Sequence, residues 1–160
     1  SVMDIGILTM LNERPLRFIA KKELLWTPII GWDILLQKHF FIDRSSNRKA
    51  LKLMRRVADR VRQGDAIVLF PEGTRSLDGV IAPFKQGSFK LAVDSGASVV
   101  PVYIHNAYHV FNKKRWYLRP GPITVCFGTP IQAGGLERTE LKEKAEAAVR
   151  QMQADLVAAQ

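Results

Sequence analysis

The sequence predicts an α/β fold, on three observations. Helical and strand patterns alternate along its 160 residues. Ala66 to Phe70 is an unbroken apolar run, the mark of a strand buried on both faces. Residues 46–63 form a two-faced helical pattern closed by glycine. The length suits one domain over residues 1–160, with no internal repeat and no linker-like change of composition.

Each element can be justified in turn. Val2, Ile5, Leu8 and Leu11 start a helical pattern at once, and the first residue is Ser1 with no leader pattern, so a chain missing an N-terminal segment is expected. Leu16 to Ala20 reads as a strand after the Asn12–Pro15 turn. Lys22 to Gln37 is apolar and helical in pattern, with a break at Pro28. Phe40 to Ile42 is a brief strand. Ser46 or Asn47 caps a helix running to Gln63, which Gly64 stops. Its apolar side carries Leu51, Leu53, Met54, Val57, Ala58 and Val61; the other side carries Arg48, Lys49, Lys52, Arg55, Arg56, Arg60 and Arg62. After the apolar run come a helix from Gln86 to Ser95 closed by Gly96, a buried strand from Val99 to Ile104, and a strand from Ile123 to Phe127. Thr139 to Ala159 is a last helix, with Leu141, Ala145, Val149, Met152 and Leu156 on one face.

Composition narrows the function. At 47% hydrophobic and 24% charged residues the chain is not disordered. Cys126 is alone, which rules out an internal disulfide and a cysteine zinc site; between Val125 and Phe127 it reads as a buried structural thiol. Neither Gly-rich nucleotide cradle is present, nor His-Glu-x-x-His, nor Gly-x-Ser-x-Gly, so no cofactor and no metal is expected. The longest uncharged stretch, Ser95 to Asn112, holds Pro101, His105, Asn106 and His109 and is no bilayer span. The formal charge is +9, and Arg44 to Arg62 holds eight Lys or Arg against the single acid Asp59. Such a run is either a solvated helix face or a contact for a polyanion. With no recognised motif and no aromatic residues among the cations, nucleic acid is not the expected partner.

What remains is Phe70-Pro71-Glu72-Gly73-Thr74-Arg75-Ser76 after the buried run. In open α/β sheets ligands sit beyond the carboxyl ends of the strands, where this loop falls. Pro71 restricts the turn, Gly73 lets a ligand approach the backbone, and Arg75 offers a planar fork for an oxyanion beside the Glu72 carboxylate. Composition alone favours an ordinary surface turn with a Glu–Arg pair.

The full seven-residue string resembles the third motif of the glycerophospholipid acyltransferases, typified by lysophosphatidic acid acyltransferase. Three further stretches are similar to the family's other motifs, in order: Ser1-Val2-Met3-Asp4 to the tail of the first, Phe41-Ile42-Asp43-Arg44 to the second, and Val99 to Ile104 to the fourth. The resemblance spans Ser1 to about Gly128. It implies a mostly parallel mixed sheet flanked by helices. It also implies acyl transfer from a thioester, acyl-CoA or acyl carrier protein, to the free hydroxyl of lysophosphatidic acid. Glycerol phosphate or another lysophospholipid is the alternative acceptor, and a catalytically dead polyanion-binding domain the alternative role. The family's catalytic His stands five residues before its Asp, which from Asp4 falls two residues ahead of Ser1. None of His39, His105 and His109 has an Asp at that spacing, so the chain as written is expected to lack turnover. By the same resemblance Asp4 would orient the imidazole, Arg44 and Arg75 would hold the acceptor phosphate, and Glu72 and Gly73 would shape the glycerol site. Lys85 would steady the developing oxyanion, or stand as a solvated loop lysine. Trp26, Ile29, Ile30, Trp32, Leu35 and Leu36 would line an acyl tunnel or an ordinary core. An anionic membrane surface is the implied partner, with the protein peripheral or anchored at its cytoplasmic face.

Overall fold

The computed structural model describes residues 2–11, 16–21, 39–42, 47–74, 76, 79–110 and 119–159. The predicted helical stretch 22–37, the motif arginines Arg44 and Arg75, and Ser46 lie outside the described residues. The chain forms two compact units, one of residues 8–69 and one of residues 1–7 with 70–160.

Helix α1, Val2–Met10, carries Asp4 in its first turn and buries Leu8. The helix ends at Met10, so Leu11 leaves the predicted stripe and stands 57% exposed.

In the unit of residues 8–69, β1 (Leu16–Lys21), β2 (Phe40–Ile42) and β3 (Ala66–Val68) form a parallel sheet in the order β2-β1-β3. Ile19 pairs with Phe40 on one side of β1, and Leu16 with Ala66 on the other. β2 and β3 both run parallel to β1 from its opposite sides, so the chain must cross over between them, and α2 (Asn47–Arg62) is that connection. Its Val57 and Ala58 are buried, with Leu53 and Met54 half-buried. Leu51, read as apolar-side, is 56% exposed: it shares the stripe of Arg48, Lys52 and Arg55. Gly64, at φ +99, ends the helix as predicted.

The turn into β3 is held by charge. Asp65 takes Arg60 in a forked pair, Nε to Oδ2 at 2.7 Å and Nη2 to Oδ1 at 3.2 Å, and Arg17 of β1 stands 2.6 Å from Oδ2. Burial pushes the Asp65 carboxyl up, but the Arg60 hydrogen bond and the Arg17 and Arg60 charges outweigh it and hold it below its ordinary value. The apolar run itself differs from expectation. β3 stops at Val68, all its residues are half-buried, and Phe70 is 38% exposed. The run's last two residues lead into the motif loop instead of extending the ladder.

The second unit packs α3 (Gln86–Ser95) against α5 (Arg138–Ala158) around Phe89, Ala133, Leu141 and Ala145. Gly96 closes α3 at φ +70, with its own N–H and that of Ala97 returning to the carbonyls of Val93 and Ala92. β4 (Val102–His105) and β5 (Thr124–Phe127) are antiparallel, Tyr103 opposite Cys126. The expected strand from Val99 begins later, because Pro101 has no N–H to give the ladder. Val99 instead makes a single bridge to Ile131, and the Pro101 carbonyl accepts the Gly128 N–H at 2.8 Å. Cys126 is half-buried rather than buried, and is a free thiol. His105 is the last residue of β4 and His109 lies in the one-turn helix α4 (Ala107–Val110). The α/β class and its helix-flanked, mainly parallel strands are borne out. Among the described residues no helix is long and apolar enough to cross a membrane.

Candidate active site

The motif loop opens with a tight turn. The Gly73 N–H donates to the Phe70 carbonyl at 3.1 Å, which puts Pro71 and Glu72 at the two central positions, where proline presets the backbone for the first. Gly73 itself takes φ +70, a conformation L-residues resist. The turn is fastened from residues 82–85. Ala82 N–H donates to Glu72 Oε2 at 2.9 Å, and Lys85 N–H donates to the Pro71 carbonyl at 2.9 Å. Further along, Ser76 Oγ accepts the Gly79 N–H at 2.8 Å.

The structure brings Lys85 and Gly73 together. A Cβ placed on Gly73 would stand 2.8 Å from Lys85 Nζ and 3.1 Å from its Cδ. The ammonium therefore lies over the one residue of the turn that has no side chain. Lys85 is also the N-cap of α3, at φ −88 and ψ 132, and makes no capping bond. That is a poor residue for the place: it cannot accept from the first-turn N–H groups, and its charge meets the positive end of the helix dipole. Helix stability does not account for it. A local rule broken in this way is typical of a functional position.

Glu72 is half-buried while Gly73 and Lys85 are exposed, so the turn's carboxylate is held and its cation faces solvent. Asp4 is half-buried in the first turn of α1 and falls in the same compact unit. The histidines are occupied otherwise. His39 is buried just before β2, its Nδ1 accepting from Phe18 N–H at 3.2 Å and its ring edge-on to Phe18. His105 Nδ1 sits 3.2 Å from the Tyr103 hydroxyl, and His109 packs on Tyr108. Among the described residues, no three His, Cys, Asp or Glu gather as a metal site would require.

Sequence reasoning missed two residues that hold this site, Glu146 and Arg150 of α5. Glu146 Oε2 accepts the Phe84 N–H at 3.1 Å, and Arg150 Nη2 reaches the Ile81 carbonyl at 3.4 Å. Their i, i+4 spacing was visible as a helix ion pair, but its reach to the segment before Lys85 has no sequence signal.

A family model described as Acyltransferase matches residues 1–105, well over half of the chain. The chain belongs to the acyltransferase family. Among acyltransferases it is similar to the 1-acyl-sn-glycerol-3-phosphate acyltransferase of Pseudomonas aeruginosa, 37% identical over 146 residues covering 89% of this chain and 56% of that protein. The enzyme of that name from Cocos nucifera is 33% identical over 147 residues, covering 91% and 48%. The crystal structure of the 1-acyl-sn-glycerophosphate acyltransferase PlsC from Thermotoga maritima aligns at a TM-score of 0.84 and 33% identity, covering 99% of this chain and 63% of that one. The chain thus spans about half the length of the curated relatives it matches.

Proposed function

We propose that this single acyltransferase domain transfers a fatty acyl group from a thioester, acyl-CoA or acyl carrier protein, to the free hydroxyl of lysophosphatidic acid, yielding phosphatidic acid at an anionic membrane surface. The observation that carries the reading is the braced Pro71–Gly73 turn with the Lys85 ammonium laid over it, in a chain whose relatives bear this name. In the proposed reaction a His five residues before Asp4 takes the hydroxyl proton, and Asp4 orients that imidazole and balances its charge. The oxygen attacks the thioester carbonyl, the C–S bond breaks, and the thiolate leaves with the proton. Arg44 and Arg75 hold the acceptor phosphate as charge-assisted forks, and Glu72 with Gly73 shapes the glycerol site. Lys85 serves this same anionic pole, or the oxyanion that forms next to it. No metal, nucleotide or redox group takes part.

The test compares the 160-residue chain with a longer protein that carries the upstream His. The longer protein should turn over, and the chain alone should lose roughly 10²–10⁴-fold, the usual share of a general base. In the longer protein Arg75→Ala or Arg44→Ala should raise the KM for lysophosphatidic acid about tenfold or more, and acceptor-free thioester hydrolysis should suffer less. Full activity of the chain alone, or an unchanged acceptor KM in both variants, would overturn the assignment of roles.

A further inference from the structure

Residues 81–84 have no regular structure, yet their backbone is taken up from two sides. On the loop side, Glu72 Oε2 accepts from Ala82 and the Pro71 carbonyl accepts from Lys85, each at 2.9 Å. On the helix side, Glu146 Oε2 accepts from Phe84 at 3.1 Å across 62 residues of sequence, and Arg150 Nη2 donates to the Ile81 carbonyl at 3.4 Å. Two carboxylates therefore hold alternate N–H groups of one strap. The helix-side carboxylate is itself pinned, because Arg150 donates to Glu146 Oε1 from Nη2 at 2.8 Å and Nε at 3.1 Å and leaves Oε2 for the strap. The Phe84 ring stacks on buried Phe89, 6.2 Å between centroids, which seats the strap on the core.

An exposed i, i+4 ion pair contributes little to a helix. This one is different: the Glu146 side chain is only 18% exposed, and one of its oxygens is spent on a distant backbone group. Both residues also lie beyond residue 105, where the match to the family model ends.

We propose that Glu146 and Arg150 are positioning residues, a clamp on the 81–85 strap that sets the Glu72 carboxylate and the Lys85 ammonium for acceptor binding. The acceptor part of this rests on the functional reading above; the mechanical part does not. Removing Glu146 frees Phe84 N–H, loosens the strap, and lets both the Ala82–Glu72 and Lys85–Pro71 bonds open. Gln in its place still offers an oxygen to Phe84.

The test uses the longer protein and three variants, Glu146→Ala, Glu146→Gln and, as a control on an exposed position of the same helix, Glu143→Ala. Amide hydrogen exchange and the KM values for lysophosphatidic acid and for acyl-CoA are read together. Glu146→Ala should speed exchange at Ala82 and Lys85 and raise the acceptor KM, each roughly tenfold, the effect of one charge-assisted hydrogen bond. The donor KM should not move. Glu146→Gln should restore most of both effects, and Glu143→Ala should match the parent. Unchanged exchange at Ala82 and Lys85 in Glu146→Ala would overturn the clamp, and faster exchange with an unchanged acceptor KM would overturn its role in acceptor binding. A parent protein that fails to acylate lysophosphatidic acid, but whose exchange still depends on Glu146, would support the clamp and defeat the functional reading.

Discussion

At the scale of single residues, Lys85 and Gly73 are coupled choices. Gly73 meets two demands at once, a φ of +70 and an empty volume that Lys85 Nζ fills. Gly73→Ala should cost about 1–2 kcal/mol from the left-handed conformation alone. The clash itself costs little, because the far end of a lysine can swing away, but swinging away removes the ammonium from the turn. Lys85 separates stability from function more cleanly. Lys85→Ser should stabilise α3 by about 0.5–1 kcal/mol, since serine caps and lysine does not. The same change should raise the acceptor KM of the longer protein several-fold. Thermal melting and acceptor kinetics on one variant check both halves, and a KM that stays put while the melting temperature rises would make Lys85 a surface lysine.

Elements show where sequence logic holds and where it stops. α3 matches its expected bounds, Gln86 to Ser95 with Gly96 beyond, because periodicity and a glycine stop are local properties. β3 fell short because burial on both faces depends on neighbours, and apolar letters alone do not say that Phe70 turns out. In the site, the loop was legible from its string, whereas its braces at Ala82, Phe84 and Glu146 were not, since a backbone N–H carries no residue signature. The joint of β1, α2 and β3 at Asp65 was equally hidden, as it needs Arg17 and Arg60 to meet in space. Its pH behaviour follows from sign. The folded carboxyl lies below the ordinary Asp value of 3.8, so its stabilisation is complete above that value and is lost as pH falls through the lower folded pKa. Glu146, held down chiefly by the Arg150 hydrogen bond and by Phe84 N–H, behaves the same way below 4.5. Asp65→Asn should therefore lower the melting temperature at neutral pH, and the gap to the parent should close as pH drops below about 3.8. A gap that persists at acid pH would show that the charge is not what Asp65 contributes.

For the molecule as a whole, the excess charge has a direction. Of the +9, most belongs to the Arg44–Arg62 segment, but the cations there are not equivalent. Arg60 is committed to Asp65 and Arg62 to Asp59. Arg48, Lys52, Arg55 and Arg56 are exposed and form no ion pair among the described residues. With Leu51 among them they follow helical spacing, so one stripe of α2 faces solvent with four cations around an exposed apolar side chain. A solvated surface alone gives such a stripe no task; the proposed acceptor, embedded in an anionic bilayer, would supply a partner. Each basic group near that surface contributes about 1 kcal/mol, and the attraction fades within a Debye length of about 8 Å at physiological salt and 3 Å at 1 M. Because Val57 and Ala58 are buried in the fold, association should be electrostatic, with little insertion beyond Leu51. The 160-residue chain should then bind phosphatidylglycerol vesicles at low salt, ignore phosphatidylcholine vesicles, and release at high salt. Replacing Arg48, Lys52, Arg55 and Arg56 with Gln should abolish most of that binding and leave the melting temperature nearly unchanged, since exposed substitutions usually shift stability by about 0.5 kcal/mol or less. Vesicle sedimentation across a salt series decides it. Binding that survives the four substitutions would mean that the membrane is met by another face of the protein.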